Sequence, residues 1–482
     1  MTGHHEEKSG FWLPPIQRQK WGDTQVLPHV NWGDLFFDLF YVAGAYNLAT
    51  VIKTDKTWES LFYFIACFGP LYAYFWNVKT IFDARFGLPN DVVHPVMEVV
   101  QLCALATAVS HIRPVQDMSH PADNSETFLF CAACTYGVVH SLLFSAEIRF
   151  IWVEGEELPS KHMAEKDLKH NFITFVVNLT ATIYAGLLYY TDAGTEGEVY
   201  HGPMIIMLAG WMTKPFITYL IYIVLSPPDF KKYMVPLNIS FCIHRYGEWT
   251  MLMLGESVLS LLIVNDVADS KNYQEKFYTT FYVGIVSVTL LQFLYFKSQP
   301  HDADRHAMRR TRLSGFSYAW IIQLYSAALI VVGVAYKMIL TEYTSEYAGE
   351  YSNKDDSYGT DGDSYGSDSG KDYRFLGASS LGPKYSIDER QQRIAWIFGL
   401  GLGAAFLFLD WMLIAHHGTE AVLDRCRNPR TGKIQFLGIC TLILTRIVII
   451  AFVLTFGFYY TEPNIVAWFG LIAIVLQVCR TQ

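Results

Sequence analysis

The sequence predicts an all-α polytopic membrane protein of about twelve transmembrane helices. Hydrophobic residues make up 52% of its 482 residues and charged residues only 17%, whereas soluble domains carry about 25% charged residues. Aromatic residues reach 16%, as expected where Tyr and Trp line the interface between membrane and water. The net charge of -9 argues against nucleic-acid binding, which needs a basic face.

Twelve apolar segments are long enough to cross a bilayer, for which a helix needs about 20 residues. They cover 32–50, 57–78, 93–112, 128–152, 170–190, 203–226, 242–264, 275–296, 314–340, 392–416, 434–460 and 463–480. The first residues of the chain are polar and lack the apolar core of a cleavable signal peptide.

The positive charges predict how the chain is oriented in the membrane. Lys and Arg concentrate in alternate connections, most densely at 305–312 and 425–433. Loops rich in Lys and Arg stay on the cytoplasmic side. We therefore expect both termini to be cytoplasmic. The plasma membrane is the expected location.

The two halves of the sequence look like copies of one unit. Residues 32–34 (Trp-Gly-Asp) match 246–248 (Tyr-Gly-Glu), and Gln-Leu at 101–102 matches Gln-Leu at 323–324. Six helices in each unit would let both copies enter from the same face, which predicts two parallel six-helix repeats related by an axis along the membrane normal.

The chain divides into five predicted parts. They are a cytoplasmic tail (1–27), a first six-helix repeat (28–226), the first three helices of a second repeat (227–340), a disordered acidic loop on the non-cytoplasmic side (341–388), and the last three helices (389–482). The loop is rich in Tyr, Ser, Gly and Asp, and such a segment cannot bury enough apolar area to offset its ordering entropy.

Ionisable residues within the apolar segments are the candidate functional residues. A carboxylate near the middle of a membrane costs about 2.5–3.5 kcal/mol on insertion scales, unless it pairs or lines a hydrated cavity. The candidate ion-pathway residues are Asp34, Asp38, Glu98, Glu147, His244, Glu248, Glu256 and Asp410. The candidate counter-charges are Arg149, Lys214, Arg245 and Arg446.

Asp38 and Glu256, one from each half, form the predicted central pair that titrates or binds an ion. Lys214 and Arg446 are the counter-charges that we expect to set its resting protonation state. The alternative for every one of these residues is a structural ion pair or a helix cap.

Enzymatic signatures are absent from the sequence. It contains neither a phosphate-binding Gly-rich loop followed by Lys and Ser or Thr nor a His-Glu-x-x-His metal helix. We therefore expect no catalytic residue, no metal site and no cofactor.

Two motifs resemble signatures of the bacterial low-temperature-requirement A family. The first is Asn-Trp-Gly-Asp-Leu-Phe-Phe-Asp-Leu-Phe-Tyr-Val at 31–42; the second is His-Arg-Tyr-Gly-Glu-Trp at 244–249 with Leu-Gly-Glu-Ser-Val-Leu at 254–259. The resemblance extends over about 28–340 and 392–480. It implies a multi-pass membrane protein linked to growth in the cold, and the acidic loop suggests a eukaryotic member.

Three functions stay open at this point. The leading hypothesis is a transporter or channel for a small ion, with a proton or another cation favoured. A membrane-embedded lipid-modifying enzyme and a sensory or structural scaffold are the alternatives. The expected partners are the lipid bilayer and the small ion, nucleic acid is excluded, and a homo-oligomer stays open.

Overall fold

The computed structural model describes the helical body of the protein. The described residues are 10–11, 13, 16–19, 32–55, 58–87, 91–112, 172–173, 176–188, 202–220, 224, 235–263, 271–300, 302–344, 387–417, 447–455 and 462–480. The predicted span 128–152, much of 434–460 and residues 345–386 of the acidic loop lie outside them.

Helices dominate the described part of the chain. They are α1 (Trp32–Asp55), α2 (Trp58–Cys67), α3 (Tyr74–Arg85), α4 (Val93–His111), α5 (Gly202–Tyr219), α6 (Ile239–Leu262), α7 (Lys271–Ser298), α8 (Arg312–Thr341), α9 (Ile387–His417) and α10 (Pro463–Arg480). Further helical residues lie at 176–188 and 447–454. A two-residue strand β1 (Ile16–Gln17) pairs antiparallel with β2 (Phe86–Gly87).

Four stretches of helix are long and apolar enough to cross a membrane, namely Leu35–Lys53, Lys271–Ser298, Leu313–Thr341 and Glu389–His416. Shorter apolar helices lie at Ser60–Pro70, Val176–Leu188 and Pro463–Cys479. All seven coincide with predicted spans, which confirms the all-α class. The full set of twelve helices and the two repeats stay predictions, since part of the chain lies outside the described residues.

The helix α8 forms the centre of the described bundle. It packs most extensively against α9 and α6, and it also touches α1, α7 and α10. Its residues from 328 to 340 are all buried, as expected for a helix that is apolar on nearly every side, and Lys337 is the one charged residue among them. At the crossing with α6, Gly333 lies against Ser257, and small residues of this kind let two membrane helices approach closely.

The second predicted span differs from the structure at its end. Instead of stopping at 78, the helical path continues from α2 through a π-helical turn, Phe68–Ala73, into α3 and ends at Arg85. Pro70 lies in that turn, where a wider helical turn accommodates a residue without an N–H group. The last turns of α3 are polar, so a search for apolar segments did not include them. The ion pair of Lys79 with Asp83 at 2.8 Å, four residues apart, stabilises these turns.

A buried ion pair joins α8 to α9 on either side of the acidic loop. Arg390 Nε lies 2.8 Å from Glu342 Oε1, and Arg390 Nη2 donates to Glu342 Oε2 at 2.9 Å. Both residues are buried. The ion pair therefore holds the two helix ends together directly, without a contribution from the intervening loop.

A cluster of two histidines packs at the opposite end of α8 and α9. The rings of His306 and His416 lie 4.6 Å apart, and Tyr318 donates to Gln299 Oε1 at 2.8 Å beside them. Burial lowers the pKa of His306 to about 4. His306 is therefore uncharged near pH 7 and packs against the ends of the two helices as a neutral ring.

The crossing of α6 and α8 generates a stability prediction. Replacing Gly333 by Ala would place a methyl group 2.7 Å from the Cα of Ser257, and overpacking of this kind costs about 1–3 kcal/mol. We expect Gly333→Ala to lower the thermal unfolding temperature of the protein in detergent, followed by tryptophan fluorescence.

Gly255, on the same helix as Ser257, is the matched control. A Cβ atom there would meet no described atom within 4 Å, and Ala favours a helix over Gly by about 1 kcal/mol. Gly255→Ala should leave the unfolding temperature unchanged or raise it slightly. Equal unfolding temperatures for the two variants would show that the crossing is not tightly packed.

Candidate functional site

Asp38 on α1 and Arg245 on α6 form a buried bidentate ion pair. Arg245 Nη1 donates to Asp38 Oδ2 at 2.8 Å, and Nη2 donates to Oδ1 at 2.9 Å. Trp76 of α3 adds a third hydrogen bond, from its indole nitrogen to Oδ1 at 3.0 Å. Asp38 is 2% exposed and Arg245 6%. Both carboxylate oxygens of Asp38 are therefore engaged, and the pair links the two predicted halves of the chain.

Glu248 and His244 extend this network towards the surface. Arg245 Nη1 also donates to Glu248 Oε2 at 2.7 Å, and Nε2 of His244 lies 3.0 Å from Glu248 Oε1. The side chain of His244 is 41% exposed and that of Glu248 21%. The four residues, which we call the charge network, reach from a solvent-accessible imidazole to a buried carboxylate. One guanidinium group in it serves two carboxylates.

A layer of aromatic rings lies beside the charge network. Its members are Tyr41, Tyr72, Trp76 and Trp249, all at most 2% exposed. The rings of Trp76 and Trp249 stack at 4.5 Å, and those of Tyr41 and Tyr72 meet edge to face at 5.0 Å. The charges of both Asp38 and Glu256 act on Tyr72. This aromatic layer therefore lies between the two acids.

Glu256 is the buried acid on the far side of the aromatic layer. It is 1% exposed, and its Oε1 accepts a hydrogen bond from Ser260 at 3.1 Å. Its Oε2 has no hydrogen-bond partner among the described residues. Glu256 lies eleven residues after Arg245 on α6, a rise of about 16 Å at 1.5 Å per residue. The cation whose charge acts on it is Lys337 of α8.

The two acids of the predicted central pair therefore do not contact each other. Asp38 and Glu256 each have partners of their own, and the structure does not pair them with each other. The counter-charge of Asp38 is Arg245, which the sequence analysis included among the counter-charges. Lys214, expected to balance these acids, instead places its ammonium 3.4 Å from the ring centre of Tyr74 and donates to the Tyr74 hydroxyl.

The remaining predicted residues have other contacts, lie at the start of a helix or fall outside the described structure. Asp34 is in the first turn of α1, Glu98 lies 3.5 Å from Lys79 Nζ, and Asp410 accepts a hydrogen bond from Gln477 at 3.3 Å. The predicted residues outside the described part of the chain are Glu147, Arg149 and Arg446.

Lys337 was missed by the sequence analysis, although a signal for it exists. It is the one charged residue in the sequence between 313 and 341. A single cation in so long an apolar run is the same signal that drew attention to Lys214 and Arg446. Trp76 and Tyr72 could not have been found in this way, since buried aromatic residues are common throughout the chain.

Comparison with known protein families gives one match. The family model described as bacterial low temperature requirement A protein (LtrA) matches residues 29–355. The chain belongs to this family. The matched range of the LtrA chain includes the charge network, the aromatic layer, Glu256 and Lys337, whereas residues 392–480 of the predicted resemblance lie beyond it. No curated protein and no solved structure matches the chain. Together with the four candidate spans, the match supports an integral membrane protein; a eukaryotic origin stays a prediction.

The buried ion pair generates a second stability prediction. Arg245→Ala would leave the buried carboxylate of Asp38 without its counter-charge, and breaking a buried pair in this way costs about 3–5 kcal/mol. The double variant Asp38→Asn with Arg245→Gln removes both charges and should recover part of that loss. The free energy of unfolding, measured by denaturant titration of the purified protein in detergent, provides the test.

Arg309→Ala is the matched control, because Arg309 forms an ion pair with Asp304 at 2.6 Å in which both side chains are at least half exposed. Exposed pairs contribute less than about 1 kcal/mol. A loss in Arg245→Ala no larger than in Arg309→Ala would contradict the importance assigned to the buried pair.

Proposed function

We propose that the LtrA chain carries a small ion, a proton or another cation, across the membrane, with Glu256 as the residue that binds it. The supporting observation is that Glu256 is buried while its Oε2 lacks a hydrogen-bond partner among the described residues. A buried polar group without a partner is costly and calls for an explanation. An ion that binds and leaves at this oxygen supplies one.

Asp38 has a different role in this proposal. Its two oxygens are held by Arg245 and Trp76, so it cannot take up an ion without breaking the buried pair. We propose that the charge network holds the helices around the ion path in position and controls access to it. His244 and Glu248, at its exposed end, form the entrance.

The path proposed here runs from the charge network past the aromatic layer to Glu256. The packed rings of the aromatic layer close this path in the described conformation. Transport therefore requires that Trp76 or Tyr72 move, and both belong to the helical path interrupted by the π-helical turn. Turns of this kind often occur at functional sites and provide a place for such a movement. The location where the two predicted halves meet is also where repeat-built transporters bind their substrates.

The alternative function, a sensory or structural scaffold, makes a different prediction for the same residues. It requires that every buried acid be paired, a condition that Asp38 meets and that the Oε2 atom of Glu256 does not. No described contact specifically favours the lipid-modifying enzyme. From the distribution of Lys and Arg, we also propose that both termini are cytoplasmic. We further propose that the protein acts in the plasma membrane, as a transporter without catalytic activity.

Flux measurements test the role of Glu256. The protein is reconstituted into liposomes, proton movement is followed with an internal pH-sensitive dye, and cation movement is followed with radioactive Na⁺. We expect Glu256→Gln, which keeps the size of the side chain, to reduce flux by about tenfold or more, since the neutral amide cannot load and release an ion.

The control for this experiment is Glu275→Gln, which removes an exposed carboxylate from the first turns of α7. It should leave flux at the level of the unaltered protein. Full flux in a properly folded Glu256→Gln protein would remove this residue from the mechanism.

A further inference from the structure

Glu256 lies on α6 between two parallel neighbours, α1 and α8. Contacts along α6 follow the same order on both of its neighbours. Arg245 pairs with Asp38 of α1, and Trp249 lies against Tyr41 of α1. Trp249 also donates to Ser326 of α8 at 2.7 Å. Further along, Ser257 donates to the backbone carbonyl of Leu329 at 3.3 Å. The three helices α1, α6 and α8 therefore run in the same direction, and their C-terminal ends lie at one end of the bundle.

Lys337 lies on the face of α8 that is turned towards α6. Gly333, one helical turn earlier, packs directly against Ser257, and residues four apart share a helix face. Lys337 is 8% exposed, and its charge and that of Glu256 act on each other. Lys53, in the last turn of α1, acts on Lys337 as a second nearby cation.

We propose that the ion carried by Glu256 is the proton, and that Lys337 is the selectivity residue that excludes metal cations. This inference rests on the proposed function and specifies its substrate. Lys337 acts through its fixed charge. A metal cation bound at Glu256 would keep its own charge close to the ammonium, whereas a proton transferred to the carboxylate leaves a neutral acid and no second cation there.

The ligands around Glu256 suit a proton better than a metal cation. Metal cations such as Ca²⁺ and Mg²⁺ are held by about six or more oxygen ligands. Glu256 offers one carboxylate, and the Ser260 hydroxyl already donates its hydrogen to it. Among the described residues, no group of three or more His, Cys, Asp or Glu side chains could hold a metal ion. A proton needs a single acceptor, which Oε2 provides.

The transfer step balances without any further reactant. A hydronium ion gives its proton to Oε2 of Glu256, which leaves a water molecule and a neutral carboxylic acid. Release to water on the other side restores the carboxylate and forms hydronium again. Exclusion of metal cations requires that Lys337 stay protonated in both states.

Selectivity measurements in liposomes test this inference. Proton flux is recorded under a pH gradient, with valinomycin and K⁺ present to dissipate the membrane potential, and uptake of radioactive Na⁺ is recorded separately. The unaltered protein should move protons and take up no more Na⁺ than empty liposomes. Lys337→Met, which removes the charge and keeps the length of the side chain, should admit Na⁺ or make proton flux sensitive to excess Na⁺.

Two further variants test whether a change in selectivity is due to the charge of Lys337. Lys337→Arg retains the charge and should keep Na⁺ excluded, which also separates selectivity from folding if Lys337→Met is unstable. Lys276→Met removes a partly exposed lysine of α7 that pairs with Glu462, and it should leave selectivity unchanged.

The outcomes separate this inference from the proposed function. Na⁺ transport by the unaltered protein that is lost in Glu256→Gln, without proton flux, would overturn the proton as substrate and leave the role of Glu256 intact. Strict proton selectivity in a folded Lys337→Met protein would overturn the role of Lys337. Failure of the unaltered protein to move either ion would overturn the proposed function itself.

Discussion

The ion pair between Asp38 and Arg245 is the constraint on which the described site depends. A guanidinium and a carboxylate that meet through two hydrogen bonds permit only a narrow range of relative positions, so this pair sets the register of α1 against α6. A buried pair of this kind is weak evidence for stability, because desolvation offsets much of the attraction. Its effect here is geometric: with the pair in place, Trp76 and Trp249 stack.

Glu256 stands in contrast to this fully paired site. Both acids are buried in the same bundle, but only one has its oxygens saturated by protein donors. The two acids therefore have different roles in the proposed mechanism. A saturated carboxylate holds helices in place, whereas a carboxylate with an open oxygen can exchange an ion. The aromatic layer between them keeps these two environments separate.

The central position of α8 explains how residues far apart in sequence come to share this site. It packs against α6 closely enough for Gly333 to touch Ser257. It also brings Lys337 near enough to Glu256 for their charges to act on each other. The same helix ends in the ion pair of Glu342 with Arg390, which fixes α9 beside it. The site is therefore built on helices rather than on connections, and rigid elements of this kind hold charged groups at defined distances.

The length of the apolar segments was enough to determine the all-α membrane class. It also gave, within a few residues, the extents of α4, α6, α7 and α8. The reason is that a helix that crosses a bilayer needs about 20 apolar residues in one run. The cost of charge in such a run likewise singled out Asp38, Arg245 and Glu256. Only the tertiary structure decided which of them pair, since helical periodicity relates neighbours on one helix and carries no information about a partner 207 residues away. The packing of α8 on α6, which brings the charges of Lys337 and Glu256 close enough to act on each other, was likewise decided by contacts between helices. The extension of α3 to Arg85 was missed for a different reason, since its last turns are polar and carry no hydropathy signal.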